Sequence, residues 1–133
     1  MSWHLERFEN KYKNEVFESS SVKTEQFKNF YSDFKKALRA AIRKYFPSWK
    51  IVSINDGHFE IFGFIKRHDG QMFYFNIGDV RWAIAGPWYD DVLFRTAENA
   101  KDYHGGINNR CSVHDLIERI ATYRVTEESG MKA

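Results

Sequence analysis

Phe46-Pro47 divides the chain into two periodicities, and that division constrains the fold more than any other feature. Before it, Phe27, Phe30, Tyr31, Phe34, Leu38, Ala41, Ile42 and Tyr45 step by three and four residues. Such stepping puts them on one face of a helix. Thr24 stands in the N-cap position, and Glu25 in the first turn suits the positive end of the helix dipole. The helix must stop near Phe46, because proline disfavours helical geometry at the residue before it. An earlier run, Leu5, Phe8, Tyr12 and Val16, has the same stepping, with Ser2 as a cap and Ser19-Ser20-Ser21 as its break. The short break predicts two antiparallel helices.

Beyond Pro47 the pattern reads as strands. Residues 51–54, 58–66, 71–77 and 80–85 are β-rich runs. Asn55-Asp56-Gly57, His68-Asp69-Gly70 and Gly78-Asp79 separate them, and Gly86-Pro87 closes the last. Asp-Gly between such runs signals a hairpin, since glycine accepts the positive φ of a tight turn. Residues 92–96 read as a fifth strand. Ser112 then stands as N-cap of a last helix, with Asp115 as a capping acid and Val113, Leu116, Ile117 and Ile120 as its buried face. Strands in one block and helices in others define an α+β fold: two N-terminal helices, a four- to five-stranded antiparallel meander and a C-terminal helix. Residues 1–125 read as one domain and 126–133 as a flexible tail.

The 133 residues suffice for a core without covalent staples. The single cysteine excludes an intramolecular disulfide and points to a reducing compartment. The first residues lack an apolar signal core, and no run approaches the ~18 apolar residues of a membrane span. The expectation is a soluble cytoplasmic protein. A net charge of +2 is too mild for the whole molecule to mimic nucleic acid or to demand it.

Three sets of residues carry candidate chemistry. His104, Cys111 and His114 have ligand types and a Cys-x-x-His spacing that suit zinc, with the fourth ligand left to Asp102, His58 or His68. The plainer reading is a buried thiol and two surface histidines. Cys111 with His104 or His114 as base also defines a nucleophile reading, although no family signature surrounds it. Lys28, Lys35, Arg39 and Arg43, joined by Lys36 and Lys44, run along one side of the second helix. That stripe suits phosphates or an acidic protein face, against the plainer reading of a solvated face. Finally, Phe62-Gly63-Phe64-Ile65 resembles the aromatic strand motif of RNA-recognition domains, but the order of elements contradicts that family. Phe62, Phe64, Phe73 and Phe75 are expected on one sheet face, with Phe59, Ile61, Ile65, Met72 and Tyr74 on the other. Either the N-terminal helices and the last helix cover opposite faces, or an aromatic patch is exposed near Arg67, Arg81 and Arg95.

The stretch LFRTAENAKDYHGGINNRCS, with its Arg-Thr-Ala, Asp-Tyr-x-Gly-Gly-x-Asn and short closing helix, resembles a segment of small phage and mobile-element proteins over residues 93–122. Proteins of this type include the anti-CRISPR inhibitors, which bind Cas effectors and share no common motif. The resemblance implies a non-enzymatic protein that inhibits a host defence nuclease by protein–protein binding. The candidate contacts, chosen from this chain's own chemistry, are Lys28, Lys35, Lys36, Arg39 and Arg43, with Asp102, Tyr103, Asn108 and Asn109. A nucleic-acid-binding accessory protein using the basic stripe, and a Cys111-dependent enzyme, are the alternatives.

Overall fold

The computed structural model describes residues 3–18, 20, 22–81 and 87–125. Helices α1 (Trp3–Tyr12) and α2 (Glu25–Tyr45) precede five strands. These are β1 (Lys50–Asp56), β2 (Ile61–Lys66), β3 (Met72–Ile77), β4 (Val92–Ala97) and β5 (Asn109–Cys111). Helix α3 (Leu116–Thr122) follows, and 3-10 turns at Trp88–Asp90 and Val113–Asp115 lead into β4 and α3. The strands form one antiparallel sheet in the order β1-β2-β3-β4-β5. The fold is α+β, and no described helix is long and apolar enough to cross a membrane.

Local chemistry sets the helix ends. The Thr24 hydroxyl accepts the Phe27 N–H at 3.2 Å, satisfying one of the free donors of the first turn. At the other end Phe46 N–H still donates to Ile42 O at 2.8 Å, and Pro47 prevents a further turn. Helix α1 is shorter than its stepping predicts. It ends at Tyr12; Val16 is 88% exposed, and Phe17 turns inward instead. Residues 13–18 have to swing the chain back toward α2, so the helical face is lost there. The two helices are antiparallel: Lys11 reaches Asp33, while Trp3 and His4 lie beside Ala37 and Ala40. Ser2, Ser19 and Ser21 lie outside the described residues.

The meander departs from expectation at three places. Strand β2 begins at Ile61 rather than residue 58, because Phe59 takes a left-handed φ of 62° in the turn and sinks its ring into the core. Of the run expected over 80–85, Val80 and Arg81 form a turn and 82–86 lie outside the described residues. The fourth strand of the sheet is therefore Val92–Ala97, and the fifth is Asn109–Cys111, in a stretch that no periodicity marks. The tail 126–133 also lies outside the described residues.

Register decides the faces. Ile65 opposes Phe73, Gly63 opposes Phe75, and Phe64 opposes Tyr74. Phe73 and Phe75 thus share a face with Ile61 and Ile65, not with Phe62 and Phe64. All three described helices pack on this first face: Leu5, Phe30, Phe34 and Leu38 join Phe75, Val92 and Phe94, and so do Leu116, Ile117 and Ile120 of α3. The expectation of helices on opposite faces is corrected. Each fully buried phenylalanine is worth about 1.5–3 kcal/mol, so this one layer dominates the fold's stability. Arg67, itself buried, clasps α3 to the sheet by donating to Ile120 O and Tyr123 O, both at 2.7 Å. Its other nitrogens fork onto Asp69 and hold that carboxyl down to about 2.

Gly63 explains itself structurally. A Cβ there would lie 2.1 Å from the Ser53 carbonyl oxygen, next to the irregularity between Ile51 and Ser53 where β1 presses on β2. Gly63→Ala should destabilise the protein by about 1–3 kcal/mol, because the obstacle is backbone and cannot rotate away. Gly78→Ala, with open space around it, should stay within about 0.5 kcal/mol. Urea denaturation of both variants measures the contrast, and equal losses would refute the steric argument.

Candidate functional site

The interior positions of α2 are Phe27, Phe30, Phe34, Leu38, Ala41 and Ile42, so Lys28, Lys35, Lys36, Arg39 and Arg43 fall on its outer side. The Lys35 ammonium lies over the Tyr31 ring at 4.2 Å. Among the described residues, none of these five cations has a carboxylate within ion-pair distance. The nearby acids are committed elsewhere. Lys11 pairs with Asp33 at 2.7 Å, and Lys23 with Asp56 at 2.6 Å. Burial works against the Asp33 charge, but the Lys11 and Tyr12 hydrogen bonds outweigh it and hold the carboxyl below its ordinary range. Lys50 and Lys66 stand directly opposed across β1 and β2 and add positive charge at the end of the sheet.

Arg39 and Arg43 overhang a groove of about 330 Å³. Its other wall is Trp49, Ile51, Val52, Ser53 and Ile54, the run into and along β1. β1 is an edge of the sheet. Its Ile54 carbonyl is turned outward, where it accepts the Tyr31 hydroxyl at 3.0 Å.

The second sheet face carries Val52, Phe62, Phe64, Met72, Tyr74, Leu93 and Ala97. No described helix covers it; the segment after β4 does. Tyr103 sets its ring edge-on to Phe64 at 5.4 Å and to Tyr74 at 5.7 Å. Asp102 builds that segment: its carboxylate accepts Glu98 N–H at 2.9 Å and Gly105 N–H at 2.8 Å. Gly106 has a left-handed φ of 76°, and a Cβ there would lie 2.5 Å from the Thr96 carbonyl oxygen. Arg95 stacks over Tyr74 at 4.9 Å and donates to Asn108 Oδ1 at 2.8 Å and to the Tyr103 carbonyl.

These contacts sort the candidate residues. Asp102 is buried and anchors the loop. Tyr103 is 39% exposed, Asn108 is exposed, and half-buried Asn109 belongs to β5 and donates to Ile107 O. The α2 cations stand on the helix side of the sheet and Tyr103 with Asn108 on the other, so the two groups form no single surface.

The zinc reading is corrected. Among the described residues no three His, Cys, Asp or Glu side chains gather as a metal-binding group. Strand β5 separates the trio. Cys111 turns into the core, His104 is exposed on the loop before β5, and His114 is tied to Glu9, with Nδ1 to Oε1 at 2.9 Å. Burial pushes the Cys111 thiol up to about 12, the opposite of what a nucleophile at neutral pH requires. Ser112 does not cap α3; its hydroxyl donates to Asp90 at 2.7 Å.

Sequence reasoning missed Glu9. It sits among Leu5, Phe8 and Tyr12 on the buried face of α1, and an acid on such a face signals a partner elsewhere in the chain. The Glu9 hydrogen bond raises the His114 pKa against the opposing effect of burial, with Asp115 and Glu6 adding to the rise. A raised folded-state pKa gives stability that is fully present below the ordinary value of 6.5 and is lost as pH rises through the folded value. This contribution to Tm should therefore be lost as pH rises above about 6.5, and His114→Gln should remove that part of the slope. Thermal melts across the range decide it; an unchanged slope would reject the tie. Cys111 should react with iodoacetamide at neutral pH at least about tenfold more slowly than free cysteine, and equal rates would contradict its burial.

No protein-family model, curated protein or solved structure matches the chain.

Proposed function

We propose that this protein is a non-enzymatic inhibitor that docks the outer face of α2 on an acidic surface of a host defence nuclease. An anti-CRISPR protein that binds a Cas effector in the bacterial cytoplasm is the most concrete form. The observation that carries the reading is the row of cations on the outer side of α2 that, among the described residues, have no carboxylate within ion-pair distance. Leaving so many like charges together on one helix costs a little stability, since like charges at i,i+4 repel, and an acidic partner recovers it. Tyr103, Ile107 and Asn108 offer a smaller second surface on the far side of the sheet. The resemblance over residues 93–122 supports a phage or mobile-element setting.

A nucleic-acid-binding role is the second reading, favoured by one observation. Lys35, Arg39 and Arg43 follow one another four residues apart, about 6 Å along the helix. Such a row suits successive phosphates as well as carboxylates.

Target-cleavage assays across a panel of Cas effectors test the first reading. At least one effector should lose cleavage or DNA loading, and the Arg39→Glu/Arg43→Glu double variant should restore it. Undiminished cleavage across the whole panel would sink the proposal. Binding to single- and double-stranded oligonucleotides that weakens steeply with salt would favour the second reading instead.

A further inference from the structure

The edge strand beside the cations narrows the identity of the partner. The two edges of the sheet differ. β5 is three residues long, and short edges are poor templates for pairing. β1 is seven residues long, contains no proline, and pairs on its outer side with no described strand. A strand edge displays amide N–H and carbonyl groups that another polypeptide strand can satisfy in a ladder. A nucleic-acid backbone can neutralise Arg39 and Arg43, but it carries no amide ladder to offer β1.

The groove also discriminates among polypeptides. It lies between Arg39, Ile42 and Arg43 of α2 on one side and Trp49 and Ile51 on the other. A guanidinium pairs best with a carboxylate, which it can grip through two parallel hydrogen bonds. A second copy of this chain is disfavoured. Antiparallel edge-to-edge pairing through β1 would bring each copy's Arg39 and Arg43 toward those of the other. An extended acidic segment meets the opposite situation: its carboxylates on the helix side reach the guanidinium groups, while alternate side chains pass over Val52 and Ser53.

We propose that the groove between α2 and β1 binds an extended acidic segment of a partner protein, which adds to β1 as a sixth strand and lays its carboxylates on Arg39 and Arg43. The proposal rests on the reading of α2 as a docking face, and it specifies what docks there.

The test uses the full chain and a synthetic peptide of alternating Glu and Val, about ten residues long, the upper end of ordinary strand length. Three comparison probes are the same peptide with Lys for Glu, the Glu peptide N-methylated at alternate amides, and a single-stranded oligonucleotide. The Glu peptide should bind and slow amide hydrogen exchange along β1, at Ile54 above all. The Lys peptide should not bind. N-methylation and the Arg39→Glu/Arg43→Glu variant should each weaken binding at least about tenfold, the first by removing the ladder and the second by removing the charge. Equal binding of the N-methylated peptide would overturn strand addition while leaving the α2 docking face intact. So would the absence of peptide binding in a protein that still inhibits an effector. An oligonucleotide that displaces the Glu peptide would overturn the proposal in favour of nucleic acid. Peptide binding as expected, with no effector inhibited, would uphold this site and remove the defence-nuclease reading.

Discussion

Phe34 of α2 meets Phe75 of β3 at 6.1 Å between ring centroids, in the middle of the single layer where helices lie on the sheet. The rest of the molecule depends on that layer being one-sided. Strand alternation sends Phe73 and Phe75 inward and Tyr74 and Asn76 outward, and the register sends Phe62 and Phe64 outward with them. A sheet face that carries these rings, with no described helix to cover it, needs another cover. The chain supplies it with the segment after β4. Asp102 fixes the loop backbone, Gly106 lets it pass against Thr96, and Tyr103 closes over Phe64 and Tyr74. Arg95 then joins the two by stacking on Tyr74 and bonding to the loop.

The small net charge conceals a strong segregation. Three of the described ion pairs are short-range: Arg67 with Asp69, Arg81 with Asp79, and His114 with Asp115 lie within two residues of one another. Both arginine side chains are largely buried, and Arg67 also holds α3 to the sheet through Ile120 O and Tyr123 O. With Asp33 and Asp56 taken up by Lys11 and Lys23, no carboxylate lies within ion-pair distance of Lys28, Lys35, Lys36, Arg39 or Arg43 among the described residues, and the outer side of α2 is strongly cationic. Its cations stand closer together than the ~8 Å Debye length at physiological salt, so a partner meets them as a group.

How much of this was legible in the sequence depended on the length of the pattern. The run from Phe27 to Tyr45 spans several helical turns and is bounded by a capping threonine and a proline, so α2 and its cationic side could be read directly. The hairpins were marked by Asp-Gly. The facing of β2 against β3 was not legible, because it is set by how residues 67–71 turn the chain, and one residue more or less reverses it. β5 has three residues and cannot display a period. Its insertion between His104 and His114 separates a trio that looks compact in one dimension. Glu9 carried a readable signal, an acid on an apolar helical face, whose partner lies 105 residues away and cannot be named from spacing.

The remaining question is why a sheet so fully covered on its first face leaves β1 open. Natural sheets blunt their edges by shortness, bulges, charge or cover. Here β5 uses shortness. β1 uses a register irregularity at Val52, one side-chain hydrogen bond from Tyr31 to Ile54 O, and the arginines overhead. These devices do not act alike. Shortness and cover reject every partner, whereas charge rejects only partners of the same sign. An edge guarded chiefly by arginines is closed to copies of itself and to basic segments, and open to acidic ones. Discrimination by repulsion needs no optimised fit to any one ligand. A protein whose long open edge is guarded in this way carries its selectivity in α2 rather than in the strand, so the helix and the edge are best understood as one surface.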